Sequence, residues 1–87
     1  MSIPVTFYIK DSEFIVSRSV HPSLNVRDVV KKIFPHLFES NSDTLIETYK
    51  NFGLRIAGFS ITWDTSILYL YETFKATDGA LYFTVVY

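Results

Sequence analysis

The sequence predicts an α+β fold in which a mixed sheet packs on one main helix, and three stretches carry that expectation. Ile3 to Ile9 alternates apolar and polar residues, the period-2 mark of a half-buried strand. Val20 to Phe34 holds a capped amphipathic helix, and Ala80 to Tyr87 closes the chain as a second alternating strand. Long strands at both ends, with a helix following the first hairpin, suit a sheet whose first and last strands pair in parallel at the centre, flanked by shorter ones. With 87 residues there is room for one domain and one modest core, spanning 1–87.

In the first strand Ile3, Val5, Phe7 and Ile9 face one side and Pro4, Thr6 and Tyr8 the other, with Pro4 marking a point that needs no N–H. Lys10 to Glu13 reads as a turn. Phe14 to Val20 then resumes the alternation, with Phe14, Val16 and Val20 on one side, which makes a hairpin. Arg18 interrupts that apolar face, so either a bulge or an exposed edge is expected there. Asn25 is a good helix N-cap, and Asp28 adds a negative charge where the helix dipole favours one. Val26, Val29, Val30 and Ile33 recur at the i, i+3, i+4, i+7 spacing of a single face, and Arg27, Asp28, Lys31 and Lys32 occupy the other. Pro35 ends the helix, because the residue before a proline is pushed out of the helical region.

The stretch after Pro35 has two readings. Thr44 with Glu47 has the form of a capping box, and Leu45, Ile46, Tyr49 and Phe52 share a helical face that Gly53 would terminate. The rival is a strand, since Thr44 to Lys50 is rich in strand formers. Leu54 to Ile61 reads as two short strands about a turn at Gly58, and Asp64 or Ser66 caps a brief helical turn through Tyr71. Ala76 to Gly79 is a turn. In the final strand Leu81, Phe83 and Val85 face one way and Tyr82, Thr84 and Val86 the other.

Eight Lys and Arg against nine Asp and Glu leave a net charge of -1 with no basic stripe, which argues against nucleic acid as a partner. The absence of cysteine excludes disulfides and thiolate metal sites. The opening residues hold no long apolar run, so neither a signal peptide nor a membrane span is expected, and the expected location is intracellular, cytoplasmic or nuclear. His21 and His36 have no third ligand at a metal-like spacing; no nucleophile elbow surrounds a serine, and three scattered glycines make no phosphate loop. No catalytic constellation and no cofactor are expected.

The run Val20-x-Pro22-Ser23-x-x-Val26-x-x-Val29-x-x-Lys32-Ile33 resembles the strand end and helix of ubiquitin, and Ala57-Gly58, Ile61, Tyr71 and Leu81-Tyr82-Phe83 fall at nearly the spacing of its second half. The resemblance implies the β-grasp, ubiquitin-like fold over most of the chain, with a longer connection at Pro35 to Gly53. Ubiquitin-like modifiers need a tail ending in Gly-Gly; this sequence runs Val85-Val86-Tyr87, so the resemblance implies a non-conjugating type. The place of ubiquitin's apolar sheet patch falls at Arg55, with Tyr82 and Thr84 beside it, so standard ubiquitin receptors are not expected to bind.

Phe7, Phe14, Phe34, Phe74 and Phe83 are assigned to the core, whereas Tyr8, Tyr82, Phe59 and Trp63 fall outward or in turns. Outward aromatics together with an arginine have the composition of protein-binding hot spots. The expected function is therefore a non-catalytic ubiquitin-like protein-interaction module, an adaptor or subunit of a larger complex, contacting protein partners through Arg55, Tyr82 and Thr84, with Tyr8 and Trp63 nearby. One alternative is a Ras-association or PB1-like domain, which would pair the second strand's edge at Arg18 with a GTPase strand. The other is a modifier whose tail has been removed.

Overall fold

The computed structural model describes residues 1–40 and 42–86. Five strands, β1 (Ile3–Ile9), β2 (Ile15–Val20), β3 (Gly53–Ile56), β4 (Phe59–Ile61) and β5 (Leu81–Val86), form one sheet in the order β2-β1-β5-β3-β4. As the order of elements suggests, β1 and β5 run parallel at the centre, with Phe7 opposite Phe83 and Val5 opposite Leu81. The flanking pairs β1–β2, β3–β4 and β3–β5 are antiparallel. Tyr87, expected to continue the last strand, lies outside the described residues.

Two helices, α1 (Val26–Ile33) and α2 (Ile67–Phe74), cover one face. Asn25 Oδ1 accepts the Asp28 N–H at 2.9 Å and Asp28 Oδ2 accepts the Asn25 N–H at 3.2 Å, a reciprocal cap on α1. Ser66 caps α2 by accepting the Tyr69 N–H at 3.2 Å. The two caps also pair with each other as an antiparallel bridge. Across it the Val26 N–H donates to the Thr65 carbonyl at 2.9 Å, the Ile67 N–H to the Leu24 carbonyl at 3.0 Å, and the Arg27 N–H to the Trp63 carbonyl at 3.0 Å. Each helix thus satisfies free donors of the other's first turn. Arg27 adds an ion pair to Asp64 at 2.6 Å.

Val29 and Val30 of α1 and Ile67 and Leu70 of α2 are buried with the inward residues of the sheet in one core. Phe7 stacks on Phe83 at 4.9 Å and meets the edge of Phe34 at 5.5 Å. No buried side-chain polar atom among the described residues lacks a hydrogen bond, so no orphaned polar group offsets the gain from burial.

Several expectations are corrected. Phe14 is not core: it is 64% exposed, because β2 starts one residue later and the Phe14 N–H is held by Ser12 Oγ in the turn at 3.0 Å. Of the two readings at Arg18, the exposed edge holds and the bulge does not. The β1–β2 register is continuous through the Val5–Arg18 pair, so Arg18 sits on the helix-side face of an edge strand, where its head reaches solvent. The helical turn after Ser66 runs on to Phe74 as a full helix.

The Thr44 to Phe52 stretch is neither the helix nor the strand expected of it. Phe38 and Leu45 form an isolated bridge, the Thr44 carbonyl accepts the Glu39 N–H at 2.9 Å, and the Ile46 N–H donates to Leu37 at 2.8 Å. This pairing keeps Ile46 extended and leaves only a 3-10 turn at Glu47–Tyr49, with no side-chain cap.

The burial contrast gives a direct test. Phe7→Ala is expected to lower unfolding free energy by about 3–5 kcal/mol, the cost of a large core cavity, whereas Phe14→Ala should change it by no more than about 0.5 kcal/mol. Urea denaturation of the two variants checks this.

Candidate functional site

The register that sends Phe7 and Phe83 inward sends their neighbours outward. Ile15 pairs with Tyr8, Tyr8 with Thr84, Thr84 with Arg55, and Arg55 with Ser60, so one row crosses all five strands on the face away from the helices. A second row runs Ser17, Thr6, Tyr82, in which the Thr6 and Ser17 hydroxyls share a hydrogen bond at 3.0 Å. The Tyr8 and Tyr82 rings stack across the two rows at 6.1 Å with planes 28° apart, and both remain solvent-accessible.

Arg55 is the sole charged residue in these rows, and none of the ion pairs among the described residues includes it. The face therefore presents one free cation set among aromatic, aliphatic and hydroxyl groups. Its aromatic end is held by Asp78, whose Oδ2 accepts the Tyr82 hydroxyl and whose Oδ1 accepts the Ala80 N–H at 3.0 Å. The phenol's hydrogen bond, with that of Ala80, lowers the Asp78 carboxyl below its ordinary range. The same bond, with some desolvation, raises the Tyr82 phenol.

Four of the five residues expected at the site, Arg55, Tyr82, Thr84 and Tyr8, are together on this face. Trp63 is not. It lies in the helix layer, stacked on Phe52 at 5.8 Å and against the edge of Phe38 at 6.2 Å, because its backbone is drawn to the start of α1 through Arg27. Phe59 is exposed, as expected, but on the helix side of the sheet: it pairs with buried Ile56 and tilts against Phe74 at 5.8 Å. Ile15, at 55% exposure, joins the row next to Tyr8 and was missed, although alternation from Val16 already pointed it outward.

His21 is engaged with Ser23 Oγ at 2.7 Å, and His36 packs edge-on against Phe34 and Tyr49. Among the described residues no cluster of side chains is suited to a metal, and no helix is long and apolar enough to cross a membrane.

Residues 2–85 match the family described as autophagy protein ATG5, UblB domain. The chain belongs to that family. No curated protein matches it at the sequence level. Among solved structures it is similar to Trypanosoma brucei ATG8, with a TM-score of 0.70 at 14% identity, covering 97% of this chain and 71% of that one. It is also similar to Plasmodium falciparum Atg8 in complex with an Atg3 peptide, with a TM-score of 0.65 at 21% identity over 98% and 75% of the two chains. The ubiquitin-like domain of Plasmodium falciparum Dsk2 matches with a TM-score of 0.59 at 21% identity, over 99% and 100%. At these identities the likeness shows the β-grasp, ubiquitin-like fold, as the capped helix and its flanking residues implied.

Asp78→Asn tests the link between the turn and the aromatic face. Without the carboxylate the Tyr82 phenol should titrate at lower pH than in the parent, read by phenolate absorbance. The lowered Asp78 carboxyl stabilises the fold above the ordinary carboxylate pKa of about 3.9, and that contribution is lost as pH falls through its folded value. The raised Tyr82 contributes below about 10 and loses its share as pH rises through its own folded value. The stability difference between parent and variant should hold level from about pH 5 to 9 and shrink at both ends.

Proposed function

We propose that this UblB domain is a non-catalytic protein-binding unit of the autophagy machinery inside the cell, and that its partner docks on the outward sheet face. The observation that carries the reading is the row Ile15, Tyr8, Thr84, Arg55, with Tyr82 stacked beside it. Aromatic and aliphatic groups there offer area at low entropic cost, and an unpaired guanidinium offers a strong, directional contact to a carboxylate. The partner is thus a folded protein with an apolar patch and one acidic side chain to meet Arg55. The bound Atg3 peptide of the Plasmodium Atg8 supports a protein ligand for a chain of this fold. Family membership supports the reading over a GTPase-binding one, which asks for a basic cluster on the first hairpin; Lys10 at its turn and Arg18 well along β2 do not form one.

Arg55→Glu and Tyr8→Ala are expected to weaken capture of the partner roughly 10–100-fold, as loss of a central anchor does. Their thermal melting should stay close to that of the parent, since both side chains are exposed. Affinity capture with parent and variants, followed by titration of the captured protein, checks this. Equal capture by all three would place the partner elsewhere.

A further inference from the structure

A second feature lies at the edge of the sheet, where β2 adjoins the outward face. β2 is an edge strand. The Ile9 N–H donates to the Phe14 carbonyl at 3.2 Å, so by antiparallel alternation Val16 and Arg18 direct their backbone groups to β1, whereas Ile15, Ser17 and Ser19 direct theirs away from the sheet. One of those outward groups, the Ser17 carbonyl, is occupied by the Arg18 guanidinium at 2.8 Å.

Where β2 begins, a cavity of about 370 Å³ opens beside Phe14, lined chiefly by Ile9, Phe14, Phe34, His36, Tyr49 and Phe52. That volume admits a large apolar side chain. Phe14, the residue just before β2, stands four positions from Arg18, about 13 Å at strand rise. The two ends differ in charge. Asp11 and Glu13 stand in the turn at the cavity end, while Arg18 has no carboxylate partner among the ion pairs of the described residues.

We propose that the free edge of β2 takes up an extended peptide as a sixth strand, with a large apolar side chain in the cavity beside Phe14 and an acidic residue four positions away against Arg18. On binding, Arg18 releases the Ser17 carbonyl to the peptide's N–H and turns to the peptide's carboxylate. Main-chain pairing supplies affinity, and the apolar and acidic positions supply selectivity. The acidic carboxylates of the turn oppose a second acid at the cavity end, so the required pattern is polar in charge as well as in shape.

Two fluorescent nine-residue probes test this: acetyl-Ser-Thr-Phe-Thr-Val-Thr-Glu-Ser-Thr-amide, and the same pattern with Glu preceding Phe by four positions, so that parallel and antiparallel addition are both sampled. In anisotropy titrations one probe should bind the parent domain about tenfold more tightly than its version with Lys in place of Glu. Arg18→Glu should invert that preference. Ser17→Pro removes an outward N–H while leaving the β1 ladder intact, and should abolish binding with little change in melting temperature. Phe14→Ser, which alters only the exposed cavity wall, should weaken it comparably and stands in if Ser17→Pro does not fold. The proposal is overturned if neither probe prefers Glu over Lys, or if binding survives both Ser17→Pro and Phe14→Ser. It is likewise overturned if sedimentation shows the parent dimerising in a way that Ser17→Pro disperses, since a second copy would then own the edge.

Discussion

Phe7 and Phe83 stack at 4.9 Å with planes only 10° apart, at the point where the first and last strands lie side by side. Parallel strands have no short connection, so the chain between β1 and β5 must make a long excursion before it returns to the centre of the sheet. The hairpin β1–β2, the helix α1 and the β3–β4 pair all belong to that excursion. Phe34 meets the central pair from the end of α1, and Val16 of β2 pairs with Phe7. Separation of β1 from β5 would open the sheet at its middle.

The same contact sets what the other face can do. Strand side chains alternate, so a residue pair locked inward at Phe7 and Phe83 fixes Tyr8, Thr84 and Tyr82 outward in known rows. No rearrangement of the outward face is open to the domain without expelling a phenylalanine from the core. Arg55 is placed on this face through its pairing with Thr84. Asp78 then trims the aromatic end by holding the Tyr82 hydroxyl.

The helix side is organised differently. Asn25 and Ser66 start the two helices and bridge each other, so the loop at Thr62 to Ser66 is fixed by α1 as much as by β4. That fixation carries Trp63 inward. The long connection from Pro35 to Phe52 wraps below α1 through the Phe38–Leu45 bridge and two 3-10 turns, and its Tyr49 and Phe52 complete the cavity beside Phe14. The cavity thus lies between that connection and the ends of β1 and α1.

Much of the fold was legible in the sequence because it rests on local periodicity. The alternation in Ile3 to Ile9 and Leu81 to Val86 determined which side chains are buried, and the Asn25 cap with its valine stripe determined where α1 begins and what it covers. The outward Tyr8, Tyr82 and Thr84 followed from the same rule, since a period of two assigns a face without reference to any partner strand, whereas Arg55 came from the resemblance to ubiquitin. Position across strands was beyond it. That Tyr8 stacks on Tyr82, that Phe14 stands exposed at an edge, and that Arg18 reaches solvent from the core-facing side depend on which strands neighbour one another. Trp63 and the Thr44 to Phe52 stretch depend on hydrogen bonds to residues far away in sequence, Arg27 in one case and Leu37 to Glu39 in the other. Those bonds form only after the chain has folded, so they override local propensity, and tertiary structure alone decided them.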